Sequence, residues 1–390
     1  MTTRHRVSSS QGDNHSSVSA VSSAVDKPPS SGPVRRAIVF LIVISISCFV
    51  LYKSADCLNI VSGSSPSSSI LSRIFPSFDS FQSLEIEEPK LEDVLRRAAM
   101  SDGTVILTTL NKAWADPGSV IDLFFESFGI GEGTSKLLNH LVIVALDDKA
   151  YSRCRELHKH CFNIETQGVD FSGEASFMTR SYLKMMWRRI DFLRSVLELG
   201  YSFVFTDADV MWFRNPFPRF YRYGDFQIAC DHYLGRSTDL ENRPNGGFSF
   251  VRSNNRTILF YKYWYASRMK YPGFHDQDVL NFIKKDHFIF HIGLRIRFLN
   301  TAYFGGLCEP SKDLNLVCTM HANCCFGMDS KLHDLRIMLQ DWRDFMSLPL
   351  HLKKSSGFTW KVPQNCSLDS LRRYDSMDEE ESEPPKGTQE

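Results

Sequence analysis

The chain has 390 residues, of which 43% are hydrophobic and 13% aromatic, a composition typical of a globular protein with one large domain or two ordinary ones. Its 45 Lys and Arg residues balance its 45 Asp and Glu residues. A sequence-independent nucleic-acid binder needs excess Lys and Arg to neutralise phosphates, so the zero net charge argues against nucleic acid as a partner. Ten cysteines are too few for a disulfide-stapled scaffold and more than a cytosolic enzyme needs.

The N-terminal part of the chain has the pattern of a membrane anchor. Residues 1–36 are polar and rich in serine, and they predict a disordered cytoplasmic tail. An uncharged apolar run follows and predicts a transmembrane signal anchor over residues 37–54, with a signal-peptide core or a buried helix as alternatives for so short a run. Because Lys and Arg are concentrated before this run, the positive-inside rule predicts that the rest of the chain is lumenal. Residues 55–90 are predicted to form a Ser-rich lumenal stalk.

Beyond the stalk, short apolar strands alternate with amphipathic helices over residues 91–363. This alternation predicts an α/β domain with a mostly parallel sheet, whose ligands bind beyond the carboxyl ends of the strands. Residues 364–390 predict an acidic disordered tail. The predicted strands are Val105–Leu110, Leu141–Leu146, Ser202–Thr206, Phe226–Cys230 and Gly247–Val251, and the predicted helices are Pro117–Phe128, with Asp116 as its cap, and Ser181–Leu199.

Two aspartates directly follow the predicted strand Ser202–Thr206. At this spacing in extended chain, Asp207 and Asp209 project to the same side with Cα atoms roughly 6.6 Å apart. Two such carboxylates can share a divalent cation, Mg²⁺ or Mn²⁺, that keeps positions open for phosphate oxygens. The alternative is that the tripeptide only caps a turn.

Two later segments could complete a site for a metal-bound diphosphate. Gly246 and Gly247 precede a predicted strand and would let the backbone approach a ligand closely, unless they form an ordinary turn. Asp276, Gln277 and Asp278 lie at the start of a predicted helix and could point into a cleft, unless the aspartates only cap that helix.

Five motifs in this order carry a resemblance to a known family. The chain resembles the plant nucleotide-diphospho-sugar transferases, glycosyltransferase family seventy-seven, over roughly residues 100–345, and more distantly the glycogenin-like retaining galactosyltransferases. The resemblance implies a GT-A (Rossmann-like) fold for the α/β domain. The motifs are Val204–Phe217, Pro244–Gly247, His275–Asp278, Tyr303–Gly306 and Met320–Cys325.

The resemblance implies a metal at the two aspartates. Asp207 and Asp209 would hold Mn²⁺ or Mg²⁺, which grips the diphosphate of a nucleotide sugar, and His321 would complete the metal shell. In the glycogenin-like enzymes a Lys follows this His closely, whereas here Lys331 comes ten residues later. This departure puts a diphosphate role for Lys331 in doubt.

The resemblance also implies which residues face the sugar. Asn245, Gly246 and Gly247 would line the acceptor and sugar side. Asp276 would contact sugar hydroxyls, and Gln277 would face the anomeric carbon. These residues are therefore the candidate catalytic and nucleotide-sugar-binding groups.

Other polar groups are candidates for binding the nucleotide. Arg180 and Lys184 are four residues apart on one helix face and could assist the diphosphate, or simply form a solvated face. Thr108, Thr109 and Asn111 end the first predicted strand, where GT-A folds seat the base and ribose.

The cysteines and glycosylation motifs bear on the compartment. An oxidising lumen favours disulfides among Cys308, Cys318, Cys324 and Cys325, although with His321 they could also form a zinc site. Cys154 and Cys161 could pair only if the helix ends between them. Asn255 and Asn365 lie in N-glycosylation sequons.

The sequence therefore predicts a Golgi type II membrane glycosyltransferase. The resemblance implies transfer of arabinose, xylose or galactose from a UDP-sugar to a cell-wall glycan or glycoprotein acceptor, with retention. The protein would be anchored through residues 37–54, and a Golgi enzyme complex is a further expected partner. The short anchor suits a thin early-secretory bilayer. The alternatives are a metal-dependent lumenal phosphoryl or nucleotidyl transferase and a catalytically silent lumenal scaffold of the same fold.

Overall fold

The structure is a computed structural model and describes residues 89–164, 179–355 and 357–366. The predicted cytoplasmic tail, the anchor over 37–54 and almost all of the stalk lie outside the described residues, as does the acidic tail beyond Cys366. Within the described residues, no helix combines the length and apolar character needed to cross a membrane.

Two sheets form the framework of the described residues. The seven-stranded sheet has the order β3-β2-β1-β4-β7-β6-β8, and a smaller sheet has the order β5-β10-β9. The strands are β1 (Thr104–Leu110), β2 (Leu141–Ala145), β3 (Cys161–Asn163), β4 (Ser202–Thr206), β5 (Val210–Trp212), β6 (Phe226–His232), β7 (Arg243–Val251), β8 (Ile296–Phe298), β9 (Phe304–Gly306) and β10 (Thr319–His321).

The larger sheet is mostly parallel, as predicted. β1 pairs in parallel with β2 and β4, β2 with β3, and β6 with β8, whereas β7 runs antiparallel to β4 and β6. All five predicted strands are present, with ends shifted by up to four residues. The short strands β3, β5 and β8–β10 were not predicted, because three residues carry too little periodicity.

Helices cover both faces of the seven-stranded sheet. In β1, Val105 and Leu107 join one hydrophobic cluster while Ile106 and Leu110 join the other, because successive side chains of a strand point to opposite faces. The helices are α1 (Leu91–Ala98), α2 (Lys112–Ala115), α3 (Val120–Ile130), α4 (Asp148–Leu157), α5 (Arg180–Glu198), α6 (Asn255–Ser267), α7 (Asp276–Ile283), α8 (His287–His291), α9 (Met328–Ser347) and α10 (Leu350–Ser355). Residues of α1, α5, α6 and α7 belong to one cluster and those of α3, α4 and α9 to the other.

One predicted helix is right and the other needs correction. α5 matches the predicted Ser181–Leu199 within one residue, and Thr179 caps it. The helix predicted over Pro117–Phe128 begins three residues later, and Asp116 does not cap it. Asp116 instead forms an ion pair with Lys112, 3.3 Å away, one turn earlier in α2.

Disulfides brace three parts of the domain. Cys154 pairs with Cys161 because α4 ends at Leu157, which satisfies the condition set by their spacing. The other pairs are Cys308–Cys324 and Cys325–Cys366, so the zinc alternative for these cysteines is wrong. Cys230 and Cys318 are buried and form no disulfide within the described part of the chain. The backbone N–H groups of residues 364–366 donate to Asp334, so the domain extends three residues past the predicted boundary at 363.

Candidate active site

Segments that are far apart in sequence meet at one edge of the seven-stranded sheet. Because β7 runs antiparallel to β4, with Phe248 opposite Thr206, the start of β7 lies beside the residues that follow β4. A cavity of about 400 Å³ lies at this edge and is lined by Asp207, Asp209 and Gly247, among others. The cavity is therefore located beyond the carboxyl end of β4, where the sequence predicted a ligand.

Three side chains in the cavity form a group that fits a metal ion. The ligand atoms of Asp207, Asp209 and His321 all lie within 4.8 Å of one another. His321 ends β10 and lies opposite Val210 of β5, which places it next to Asp209. The Oδ1 atom of Asp209 is buried, 3.1 Å from His321 Nε2, and has no hydrogen-bond partner among the described residues. A buried carboxylate oxygen without a donor, beside a second carboxylate and an imidazole, suits a divalent cation.

Gly247 allows the backbone to approach this group. Its carbonyl accepts a hydrogen bond of 2.7 Å from the N–H of Asp207. A Cβ atom on Gly247 would lie 2.3 Å from His321 Cε1 and 2.7 Å from Asp207 Oδ2. The predicted need for glycine is thus explained by the candidate metal ligands themselves.

Charges in the cavity strongly affect protonation. Burial would raise the pKa of Asp209, but Lys331 and His321 together hold it well below its ordinary value. Burial raises the pKa of Asp207 although Arg189 opposes this effect. Burial lowers the pKa of His321, but Asp209 and Asp207 more than compensate and raise it. Asp209 is therefore the carboxylate that stays firmly ionised.

Lys331 lies in the site despite its distance from His321 in sequence. Its ammonium group donates to Asp209 Oδ2. The sequence analysis put a diphosphate role for Lys331 in doubt, because ten residues separate it from His321. Residues 322–330 form a loop and the first turn of α9, which brings Lys331 back over the cavity, 5.0 Å from the centre of the Trp114 ring.

Arg189 connects the metal side of the cavity to the sugar side and was not predicted. Its Nη1 donates to Asp207 Oδ1 at 3.0 Å, and its Nη2 donates to Asp276 Oδ2 at 2.6 Å. Burial would raise the pKa of Asp276, but the guanidinium of Arg189 and the His275 ring lower it to about 2. In the sequence, Arg189 lies directly before Ile190, a member of the predicted apolar stripe of α5. An arginine next to the stripe that faces the core was the signal that could have identified it.

The candidate sugar-side residues form a hydrogen-bonded group. Gln277 Oε1 accepts from the N–H of Gly246 at 2.8 Å, and Asn245 Oδ1 accepts from the N–H of Gly247 at 2.9 Å. The amide nitrogens of both side chains donate to Asp231. Asp231 directly follows the predicted strand Phe226–Cys230, the same signal that identified Asp207, and it was missed.

The structure places the remaining predicted residues as follows. Thr109 and Asn111 line the cavity, and Asn111 also caps α2. Thr108 is fully buried beside them and its hydroxyl has no hydrogen-bond partner within the described ranges. Arg180 and Lys184 are exposed and do not line the cavity.

The predicted glycosylation sites and the start of α7 also have clear positions. Asn255 and Asn365 are both exposed. α7 is capped by His275, whose Nδ1 accepts from the N–H of Gln277. Capping therefore does not require Asp276, which is buried in the cavity against Arg189.

The comparison with protein families gives the identity. The model of a family described as nucleotide-diphospho-sugar transferase matches residues 136–335, which include the site residues from Arg189 to Lys331. The chain belongs to this family. This membership and the order of strands in the seven-stranded sheet support a GT-A-like α/β fold. The membership also makes the chain a glycosyltransferase that uses a nucleotide-sugar donor.

Two relatives of this transferase come from Arabidopsis thaliana. An uncharacterised protein is 54% identical over 280 residues, covering 71% of this chain and 73% of the relative. The beta-arabinofuranosyltransferase RAY1 is 28% identical over 173 residues, covering 43% of this chain and 30% of the relative. Among solved structures, the galactosyltransferase LgtC in complex with donor and acceptor sugar analogues is 11% identical, with a TM-score of 0.39, covering 64% of this chain and 99% of that chain.

Proposed function

We propose that the protein is a metal-dependent, retaining glycosyltransferase that uses a UDP-sugar. The observation that carries the proposal is the grouping of Asp207, Asp209 and His321 in the cavity, with the Arg189–Asp276 pair beside it. Asp207, Asp209 and His321 would hold Mn²⁺ or Mg²⁺. When bound, the cation would supply positive charge to stabilise the leaving diphosphate.

The side chains of the cavity have complementary tasks in this reaction. Cleavage of the bond to the diphosphate builds negative charge on phosphate oxygens and positive charge on the sugar. Lys331 supplies a cation beside Asp209 on the phosphate side. Asp276, kept ionised by Arg189, presents a carboxylate on the sugar side. Gln277 is a poor nucleophile, so departure and attack on the same sugar face agree best with retention.

The donor sugar and the compartment are proposed on separate grounds. The family resemblance favours arabinose first, then xylose or galactose, transferred to a cell-wall glycan or glycoprotein. The relative RAY1 is a beta-arabinofuranosyltransferase, which supports the first choice. Three disulfides fit an oxidising compartment. Together with the predicted anchor over 37–54, they support a Golgi type II membrane protein with a lumenal catalytic domain. A Golgi enzyme complex is a further proposed partner.

The proposal is tested by incubating the purified lumenal part with a panel of UDP-sugars, with Mn²⁺ or with a chelator. We expect donor hydrolysis that depends on the metal. Asp209→Ala should lose about a hundredfold or more, because the cation that stabilises the leaving diphosphate loses a ligand. Asp344→Ala, on the exposed part of α9, serves as the control and should retain activity. Undiminished turnover in Asp209→Ala would refute the metal role, and release of phosphate from the nucleotide without sugar transfer would favour a phosphoryl transferase.

A further inference from the structure

Asp231, at the carboxyl end of β6, is bound by three primary amides from distant parts of the chain. Asn245 Nδ2 and Asn323 Nδ2 both donate to its Oδ1 at 2.8 Å. Gln277 Nε2 donates to its Oδ2 at 2.9 Å. All four residues line the cavity. One carboxylate therefore joins the starts of β7 and α7 and the loop after β10.

The oxygen of each amide is bound as well. The Asn245 oxygen accepts from the N–H of Gly247 at 2.9 Å, and the Gln277 oxygen accepts from the N–H of Gly246 at 2.8 Å. The Asn323 oxygen accepts from the N–H of Cys308 at 3.1 Å. A flipped amide would face the carboxylate with its oxygen and the backbone N–H with its NH₂ group, and would lose both hydrogen bonds. Asp231 thus selects one orientation for every amide in the group.

This selection matters because each amide has a further hydrogen to donate. An NH₂ group carries two N–H bonds, and Asp231 accepts one from each amide. The second N–H of each has no partner among the described residues. These donors line a cavity whose substrate is a polyhydroxylated sugar.

We infer that Asp231 is a positioning residue that orients Gln277, Asn245 and Asn323 toward the transferred sugar. It acts through these amides and, above all, through Gln277, which by the family resemblance would face the anomeric carbon. The inference rests on the proposed function, because it assigns the amides to the sugar of the nucleotide-sugar donor. It predicts that the polarity of the Asp231–Gln277 hydrogen bond, and not only the presence of both side chains, controls transfer.

A polarity swap tests this directly. In Asp231→Asn, the oxygen can remain at the Oδ1 position and keep the bonds from Asn245 and Asn323, while the new NH₂ group faces that of Gln277. Gln277→Glu alone instead faces the carboxylate of Asp231 with a second carboxylate. In the double variant, the new amide donates to the new carboxylate, which still accepts from the N–H of Gly246. Only the double variant restores every hydrogen bond within the group, although it removes the second N–H that Gln277 would donate to the sugar.

We expect each single variant to lower kcat for transfer about tenfold or more, the effect of a buried polar group that loses its partner. The donor KM should change less than kcat, and the ratio of sugar transfer to donor hydrolysis should fall, because a misplaced sugar is lost to water. The double variant should be more thermally stable than the sum of the two single effects predicts, as coupled neighbours are, but it should not recover kcat, because the introduced glutamate has no N–H to donate to the sugar. Purely additive effects on thermal unfolding in the double variant, or an unchanged kcat and transfer ratio in Asp231→Asn, would overturn the inference.

The same swap on an exposed helix face provides the control. Gln340 Nε2 donates to Asp344 Oδ1 at 2.7 Å on α9. Neither residue lines the cavity, so Asp344→Asn with Gln340→Glu should leave kcat unchanged. Thermal unfolding of all variants measures the Asp231–Gln277 coupling without a substrate. A wild-type protein that processes no nucleotide sugar would defeat the proposed function, and thermal coupling would then decide alone whether Asp231 orients Gln277: its presence would support the inference and its absence would overturn it.

Discussion

Asp209 and Asp225 show that burial alone does not distinguish a functional carboxylate from a structural one. Both are 1% exposed, and in both cationic partners hold the pKa below its ordinary value against the effect of burial. Asp225 accepts hydrogen bonds from Arg256 and Arg295 through both of its oxygens. Asp209 lines a cavity and keeps one oxygen without a hydrogen-bond partner in the part of the chain that the structure describes.

The difference lies in what each carboxylate connects. Asp225 precedes β6 and joins the start of α6, through Arg256, to the start of β8, through Arg295, in a closed network. The Asp209 network is open toward the cavity and contains a histidine, which suits a metal, as well as a lysine. A closed network predicts an effect on folding, and an open one predicts an effect on chemistry.

The largest expected effect on stability is that of Asp225→Asn. Removing the charge leaves Arg256 and Arg295 without their carboxylate, and a broken, partly buried ion pair should cost about 3 kcal/mol of unfolding free energy. The arginine side chains are 39% and 45% exposed and can rehydrate, which limits the loss. Urea unfolding measures this cost. The kcat of the folded fraction should remain that of wild type.

The control for this variant is Asp239→Asn. Asp239 pairs with Arg236, whose side chain is 80% exposed, so the loss of stability should be much smaller than in Asp225→Asn. Equal losses in the two variants would mean that the Asp225 network contributes no more than a surface pair. A fall in kcat for Asp225→Asn would contradict the separation between the closed and open networks.

Gly247→Ala should affect the open network in a smaller but specific way. The added Cβ would overlap His321 Cε1 and Asp207 Oδ2, so the candidate ligands must move apart. We expect Mn²⁺ affinity to fall about 10- to 100-fold, the size seen when the support of metal ligands is disturbed. Calorimetric titration with Mn²⁺ measures this. Gly118→Ala is the control, because no atom lies within 4 Å of a Cβ added there, although the positive φ of Gly118 adds backbone strain. Unchanged Mn²⁺ affinity in Gly247→Ala would argue against a metal at Asp207, Asp209 and His321.

The framework of the fold could be predicted because its strands are long and apolar. β4 and α5 match their predicted bounds within one residue, since each has a strong and continuous period. The second sheet consists of three-residue strands, which are too short for a local pattern to identify them. The start of α3 was placed too early, because Asp116 pairs with Lys112 instead of capping a helix.

The site was predictable where a residue directly follows a strand or belongs to a motif. Asp207, Asp209 and His321 were predicted and the structure brings them together. Arg189, Asp231 and Asn323 were missed because their roles depend on pairing across 14 to 92 residues of sequence. Arg180 and Lys184 share a helix face as predicted, but that face is exposed, and the orientation of a helix about its axis depends on the core.

The smallest expected effect is the pH dependence of the stability lost in Asp225→Asn. It tests directly whether the charge of the Asp225 carboxylate stabilises the fold. The folded-state pKa of Asp225 lies well below its unfolded value of about 3.9, because the arginine hydrogen bonds outweigh burial. A depressed pKa stabilises the folded state above the unfolded pKa, and this contribution is lost as pH falls toward the folded pKa. The difference in unfolding free energy between wild type and Asp225→Asn should thus be constant from about pH 5 to 8 and shrink below about pH 4. Urea unfolding across this range tests it, and a difference that persists at low pH would mean that the arginines stabilise the fold through contacts other than the carboxylate charge.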